Sequence, residues 1–128
     1  ASAAAALLRL AELTGEERWR ELGDSVLKLL AGIAERAPSA LAYLLLALDF
    51  RLAPPQQVAI VGDPDRELVR VVRARLRPHV VVACGEPDSM PLLRERPTVD
   101  GKPTAYVCEN FTCKRPVTTP RELAELLR

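Results

Sequence analysis

The side chains that could do metal or redox chemistry in this sequence are one histidine, His79, and three cysteines, Cys84, Cys108 and Cys113. By number they would make a Cys3His zinc site. Their spacing argues against it, because His79 and Cys84 bracket one predicted strand and would lie about 16 Å apart at about 3.3 Å per residue, on opposite faces. Zinc–ligand bonds of about 2.0–2.3 Å cannot join them. We therefore predict no metal and no cofactor.

The C-x4-C spacing of Cys108 and Cys113 favours a redox pair over a metal site. Cys108 ends a predicted strand, and residues 109–112 could turn the chain back and bring Cys113 within the Cα separation of about 4.4–6.8 Å that a disulfide needs. Cys84 also ends a predicted strand and could approach either. The alternative, which we favour, is three reduced cysteines that act as small hydrophobic side chains in a reducing cell.

A row of four arginines gives the second candidate site. Arg66, Arg70, Arg73 and Arg77 are spaced at i, i+4, i+7 and i+11 of a predicted helix and would form one basic stripe. Nucleic acids and phosphates bind such rows. The apolar stripe of the same helix lies opposite, so the arginines occupy the face that water must reach anyway, and no aromatic residue interleaves with them. We interpret the row as a solvated or docking face and predict no nucleic-acid partner.

The turn Val61–Pro64 joins a predicted strand to a predicted helix, where phosphates bind in doubly wound sheets. It has only Gly62 instead of a glycine-rich motif, and the Asp63 carboxylate would repel an anion. We therefore predict that Asp63 caps a helix that begins at Pro64. No nucleophile motif accompanies His79, so no hydrolytic triad is predicted.

Residues 1–53 have the periodicity of helices. The pattern predicts a first helix that ends at Thr14-Gly15, a second over residues 16–36 and a third that Pro38 opens and that ends near Leu52. The third is apolar nearly all round and should be buried on several sides. The second carries one apolar stripe, of which we assign Trp19 to the core: Trp19, Leu22, Val26, Leu29, Leu30 and Ile33.

Pro54-Pro55 ends the helical pattern and predicts a boundary. Beyond it, strands are predicted at 58–61, 79–83 and 104–108, with a helix over 64–77 between the first two and a loop over 84–103. A strand–helix–strand unit requires parallel strands. Thr119-Pro120 opens a last helix through a capping box. The fold class is therefore α plus α/β: helical hairpins in residues 1–53, then a small, mostly parallel three-stranded subdomain in residues 56–128.

Composition excludes several classes of protein. The 128 residues are 48% hydrophobic with a net charge of +1, which excludes global disorder and gives no general attraction to nucleic acid or anionic membrane. The most apolar run, 41–48, is far shorter than the about 20 residues that cross a bilayer. We expect a cytoplasmic chain. Because it starts at Ala1 and its only methionine is Met90, we also expect it to be a piece of a longer protein.

The C-terminal stretch resembles a known family. Pro91-Leu92-Leu93, the segment 100–113 (DGKPTAYVCENFTC) and Pro116-Val117-Thr118 resemble the closing segment of the large thioredoxin-like proteins related to spermatogenesis-associated protein. The segment 10–19 (LAELTGEERW) is similar to a late helical hairpin of that family. The resemblance implies a thioredoxin-like domain, then an (α/α) barrel similar to six-hairpin glycosidases and N-acylglucosamine 2-epimerases. Residues 1–53 would be the last helices of this barrel.

The resemblance implies a C-terminal structural or interaction module, not catalytic by itself, that closes the barrel and positions the N-terminal domain. One alternative is that Cys108 and Cys113 exchange electrons with the absent thioredoxin-like domain. Another is an accessory role in a sugar isomerase- or glycosidase-like enzyme. The partners we expect are the missing N-terminal domains. We also expect self-association, because the last hairpins of a barrel expose apolar surface when their neighbours are absent.

Overall fold

The computed structural model describes residues 2–128. They divide between Pro55 and Gln56 into two compact units, a helical one and a sheet-containing one. Two consecutive prolines, Pro54 and Pro55, end the helical pattern because neither can donate a backbone N–H to a helix. Among the described residues, no helix combines the length and the apolar character needed to cross a membrane.

The first unit consists of helices α1 (Ser2–Thr14), α2 (Glu17–Arg36) and α3 (Ala42–Leu52), with a 3-10 turn, Pro38–Leu41, before α3. Helix α1 packs against both α2 and α3. Gly23 permits its close approach to α2, because a Cβ atom there would lie 2.9 Å from Cδ2 of Leu8. The buried core of the unit comes from α1 and α3: Ala4, Leu8, Ala11, Leu44, Ala47 and Phe50.

The third helix is not buried on several sides as predicted, but the apolar faces of α2 and α3 are partly exposed, as we expected of hairpins without their barrel neighbours. Because α1 meets α2 at Gly23, the neighbouring stripe is only partly covered: Trp19, Val26 and Leu30 are half-buried, whereas Leu29 is 79% exposed. On α3, Leu44 is buried, whereas Leu46 is 62% exposed. Further apolar side chains remain exposed on the same two helices: Leu22, Ile33, Tyr43, Leu45, Leu48 and Leu52.

An ion pair joins α2 to α3 and makes the stability of the helical unit depend on pH. Arg51 donates from Nε and Nη2 to the two carboxylate oxygens of Asp24, at 2.7 and 3.1 Å. This hydrogen bonding lowers the pKa of Asp24 from its ordinary value of 3.8. A carboxyl group whose pKa is lower in the folded state stabilises that state above its ordinary pKa. This contribution is lost as the pH falls through the lowered value.

We expect Arg51→Gln to remove this acid sensitivity. At neutral pH the variant should lose about 0.5–1 kcal/mol of unfolding free energy, a small effect because both side chains are partly exposed. As the pH falls below about 4, the difference between variant and wild type should shrink toward zero. Urea titrations at a series of pH values measure both quantities. A difference that stays constant at acid pH would contradict the assignment.

The second unit contains strands β1 (Gln56–Val61), β2 (Val80–Gly85), β3 (Thr104–Glu109) and β4 (Thr112–Cys113). Its helices are α4 (Glu67–Arg73) and α5 (Pro120–Leu126), and a 3-10 turn covers Pro91–Leu93. The strand order is β2-β1-β3-β4. Strand β1 runs parallel to β2 and antiparallel to β3, and β3 is antiparallel to β4. The strand–helix–strand unit is confirmed.

The prediction of a mostly parallel, three-stranded sheet was wrong, because the sheet is mixed and has four strands. Residues 86–103 form no α-helix, only the short 3-10 turn. A connection without a crossover helix leaves the chain at the end of the sheet where β2 finishes. From that end the chain turns back, and β3 runs antiparallel to β1. The fourth strand is too short to have a hydrophobic alternation of its own.

The core of this unit lies between one face of the sheet and helices α4 and α5. Side chains alternate between the two faces along β1 and β3, and one set packs with the helices: Val58, Ile60, Leu68, Val69, Val72, Ala105, Val107, Val117, Leu123 and Leu127. The 3-10 turn contacts β1 and β2, and its Leu92 and Leu93 are fully buried. This turn brings the following segment, 94–97, toward the sheet.

Asp63 caps α4, as predicted, but the helix has other limits. Its carboxylate accepts hydrogen bonds from the backbone N–H groups of Glu67, Leu68 and Val69, at 3.0–3.2 Å. The helix begins at Glu67 instead of Pro64, because Arg66 takes a left-handed conformation with φ of 57°. Thr119 caps the last helix as predicted, since its hydroxyl accepts from the backbone N–H of Glu122 at 3.3 Å. The Glu122 carboxylate accepts from the same hydroxyl at 3.0 Å, instead of from the backbone N–H of Thr119 as in a full capping box.

Candidate functional site

The second and third cysteines face each other across a tight hairpin. Strands β3 and β4 are joined by Asn110-Phe111, whose φ values of 50° and 62° are both positive. Two consecutive left-handed residues are typical of the type I′ turn, which matches the twist of a two-residue hairpin. Asn tolerates this conformation better than Phe does. The turn sets the register, which pairs Cys108 with Cys113 and Glu109 with Thr112.

A disulfide joins Cys108 and Cys113. The Cα separation is 3.9 Å, which is shorter than the range of about 4.4–6.8 Å that we expected. The backbone N–H of Lys114 donates to the carbonyl of Val107 at 2.9 Å, so the cysteines occupy the position between two hydrogen-bonded pairs. Opposed residues approach most closely at such positions. Residues 109–112 turn the chain back, as the redox interpretation required. The favoured prediction of three reduced cysteines was wrong for Cys108 and Cys113, and only Cys84 is a free thiol.

Gln57 holds the turn in place from the neighbouring strand. It is fully buried on β1 and lies opposite Cys108 in the register. Its Oε1 atom accepts a hydrogen bond from the backbone N–H of Phe111 at 3.1 Å. A buried side-chain amide is costly to leave without hydrogen-bond partners. The bond from Phe111 to Gln57 therefore restrains the turn. The role of Gln57 was not predicted, although a glutamine at the start of an apolar strand was a signal.

Arg96 places its guanidinium group against the sulfur atoms. Its Nη2 and Nε atoms lie 3.2 and 3.4 Å from Sγ of Cys113, and Nη2 lies 3.9 Å from Sγ of Cys108. Backbone carbonyls hold the group, since Nη1 donates to Leu92 at 2.7 Å and to Arg94 at 3.1 Å. The contact of Arg96 with the sulfurs was not predicted, because Arg96 lies in a loop far from both cysteines in the chain and no local pattern marks it.

The tyrosine of β3 fixes the segment that carries Arg96. The hydroxyl of Tyr106 donates to the carbonyl of Pro97 at 2.7 Å. Burial raises the pKa of this hydroxyl, and the nearby charge of Arg96 partly offsets that effect. The hydroxyl therefore stays protonated at neutral pH and can act as the donor that this contact requires.

The two sulfurs differ in their access to solvent. Cys108 is 1% exposed, whereas Cys113 is half-buried. A cleft of about 360 Å³ opens beside the hairpin and is lined by both cysteines and by Lys114. A molecule that enters this cleft can therefore reach the pair from the side of Cys113.

The remaining soft ligands lie elsewhere. Cys84 is a free, exposed thiol on β2, and β1 lies between β2 and the β3–β4 hairpin. Partial desolvation and the charge of Asp63 raise the pKa of Cys84, so it is a weaker nucleophile at neutral pH than an ordinary cysteine. His79 precedes β2, and its carbonyl accepts from the backbone N–H of Gln56. Within residues 2–128, no three His, Cys, Asp or Glu side chains are grouped as a metal would need.

The predicted stripe of four arginines does not form. Helix α4 ends at Arg73, so Arg77 lies beyond it, and Arg66 precedes its first residue. Arg77 instead ties two elements together, because Nη1 donates to the carbonyl of Leu127 at 2.7 Å and Nε to that of Val72 at 3.3 Å. Of the four arginines, only Arg70 and Arg73 lie on the helix itself, where both are exposed. The helical pattern continued past the true end because Ala74–Arg77 contains good helix formers.

Comparison with known proteins places the chain within longer relatives. It is 32% identical to spermatogenesis-associated protein 20 of Rattus norvegicus and 33% identical to that of Homo sapiens, each over 132 aligned positions. An uncharacterized protein of Caenorhabditis elegans is 33% identical over 135 positions. These alignments cover 94% of the chain.

No protein-family model matches the chain, and no solved structure matches it. The chain spans about 17% of the length of the mammalian relatives and about 18% of the nematode protein. It is therefore homologous to a short segment of proteins several times its length.

Proposed function

We propose that this chain is a module of a longer protein and that its Cys108–Cys113 hairpin exchanges electrons with a dithiol partner. The observation that carries the proposal is the disulfide between directly opposed residues, both of which line an open cleft and one of which, Cys113, is only half-buried. A disulfide that only staples a fold does not need a sulfur within reach of a partner. The thioredoxin-like domain implied by the family resemblance is a dithiol partner of the right kind.

The exchange is a two-electron reaction. The partner's dithiol becomes a disulfide, and the Cys108–Cys113 disulfide becomes two thiols. One partner thiolate forms a mixed disulfide with the hairpin and expels the other hairpin sulfur as a thiolate. The second partner thiolate then releases the remaining hairpin sulfur. Under neutral conditions the two protons lost by the partner's thiols are taken up by the products.

The oxidised chain should be a substrate for a reduced thioredoxin. With thioredoxin, thioredoxin reductase and NADPH, we expect about one NADPH to be oxidised per chain, because one disulfide takes up two electrons. Absorbance at the NADPH band measures the stoichiometry, and alkylation with mass spectrometry counts the thiols produced.

Two variants control this experiment. Cys84→Ser should leave the stoichiometry unchanged, because Cys84 is not bonded to another cysteine. The double variant Cys108→Ser, Cys113→Ser should consume no NADPH above background. If the disulfide of the native chain were reduced only after denaturant was added, the pair would be a structural staple and the proposal would fail.

A second candidate function is supported by the helical unit. Helices α2 and α3 carry exposed leucines, and a cleft of about 420 Å³ between them is lined by Leu27, Leu44, Leu45 and Leu48. Apolar surface of this kind marks an interaction site. We propose that it receives another helix of the longer protein, which is the structural role of a barrel's last hairpin. In the separate chain, a second copy would take that place.

A further inference from the structure

The two cysteines of the hairpin lie in unequal surroundings. Cys108 is buried on the central part of the sheet, opposite Gln57. Cys113 is half-buried on the two-residue strand β4, which is an edge strand of the sheet. An attacking thiolate must approach a disulfide sulfur closely, and the more exposed Cys113 offers that approach more readily while the fold stays intact.

The positive charge near the pair is also unequally shared. Arg96 directs two N–H groups at Sγ of Cys113, at 3.2 and 3.4 Å, but reaches Sγ of Cys108 only at 3.9 Å. All its other contacts within the described chain are with backbone carbonyls and the ring of Phe111. No carboxylate therefore neutralises its charge at short range. A cation held in this way stabilises a neighbouring thiolate over the thiol.

We propose that Cys113 is the sulfur through which this hairpin forms mixed disulfides, that Cys108 is the resolving sulfur, and that Arg96 stabilises the Cys113 thiolate. This inference rests on the proposed redox function and assigns its order of events. The reduced Cys113 thiolate attacks a target disulfide, forms a mixed disulfide and expels one target thiolate. Cys108 then attacks Sγ of Cys113, which closes the hairpin disulfide and releases the second target thiolate.

The hairpin keeps the resolving step intramolecular. After reduction, the hydrogen bond from the backbone N–H of Lys114 to Val107 and the bond from Phe111 to Gln57 still hold the register. Cys108 therefore remains opposite Cys113 when a mixed disulfide forms. Groups held at such a distance react as if their concentration were very high, so the mixed disulfide should be short-lived unless Cys108 is removed.

The test uses the reduced 128-residue chain carrying Cys84→Ser and the alkylating agent iodoacetamide at about pH 7. Mass spectrometry of the peptide that contains both cysteines gives a rate for each. We expect Cys113 to react about tenfold or more faster than Cys108, because it is more exposed and more often a thiolate. Arg96→Gln should slow Cys113 about five- to tenfold and move its rate profile to higher pH. Arg96→Lys should restore part of the rate, because it keeps the charge and loses the planar fork.

Arg70→Gln is the matched control, because Arg70 is an exposed arginine of α4 that forms no hydrogen bond with Arg96 or with either cysteine of the hairpin; its rate should stay within about twofold of the parent. With glutathione disulfide as a probe, Cys108→Ser should accumulate a glutathione adduct on Cys113, and Cys113→Ser should form far less on Cys108. Equal alkylation rates for the two cysteines, or equal effects of the Arg96 and Arg70 variants, would overturn the inference.

These readouts are independent of the proposed partner. If alkylation distinguishes the sulfurs as expected while reduced thioredoxin leaves the native disulfide intact, the order of reactivity stands and the proposed electron exchange fails. If thioredoxin reduces the pair but Cys108 is the faster thiol, the proposed function stands and the assignment of Cys113 as the attacking sulfur fails.

Discussion

Ile60→Ala is expected to lower the free energy of unfolding of the sheet unit by about 3–4 kcal/mol. Ile60 is fully buried on β1, the strand that pairs with both β2 and β3, and it belongs to the core under α4 and α5. Truncation removes buried methyl groups and leaves a cavity that a sheet covered by helices cannot easily close. The same substitution should loosen the strand that holds the cysteine hairpin.

Urea denaturation followed by circular dichroism measures the loss, and amide hydrogen exchange on β1 and β3 locates it. Leu76→Ala is the matched control, because Leu76 is a leucine of the same unit that is 93% exposed; its effect should stay within about 0.5 kcal/mol. A loss of less than about 1 kcal/mol for Ile60→Ala would mean that this core is not packed as described.

The second large effect concerns association through the helical unit. We expect the wild-type chain to self-associate at concentrations of about 10–200 µM, and Leu29→Glu combined with Leu46→Glu to weaken the dissociation constant at least about a hundredfold. Leu29 and Leu46 are 79% and 62% exposed on α2 and α3. Burying a leucine contributes about 1.5–3 kcal/mol, and in a symmetric dimer each substitution counts twice.

Sedimentation equilibrium or light scattering measures this association. Leu76→Glu serves as the control, since it adds the same charge at an exposed leucine of the other unit, and it should leave the dissociation constant unchanged. Circular dichroism should show all variants folded, because exposed substitutions have small effects on stability. A wild-type chain that stays monomeric at about 200 µM would remove the second candidate function in its self-associating form.

Local pattern predicted the elements of the sheet unit well and its topology less well. Val58–Val61 and Val80–Ala83 were identifiable because short apolar runs bounded by Gly and Pro are typical of buried strands. Their parallel pairing followed from the helix between them. The antiparallel return of β3 was not readable, because a loop such as 86–103 has no periodicity that tells where it brings the chain.

Helix limits and buried faces were the least predictable features. The helical spacing of apolar residues continues past Arg73 to Leu76, yet α4 ends at Arg73. The leucine stripe of α2 has the spacing of a buried face, although α1 meets the helix at Gly23 and leaves Leu29 in solvent. The spacing of residues along one helix predicts which of them share a face. Which neighbour covers that face depends on segments elsewhere in the chain.

The sequence by itself determined the residue types, the secondary-structure elements and the likeness to a longer protein, because each depends on local order along the chain. It also placed Cys108 and Cys113 at a spacing that one turn can close. Only the tertiary structure decided that the turn is two residues long, that Gln57 restrains it and that Arg96 lies against Cys113. Those contacts join segments distant in the chain, and folding selects them by the packing and hydrogen bonding of the whole unit.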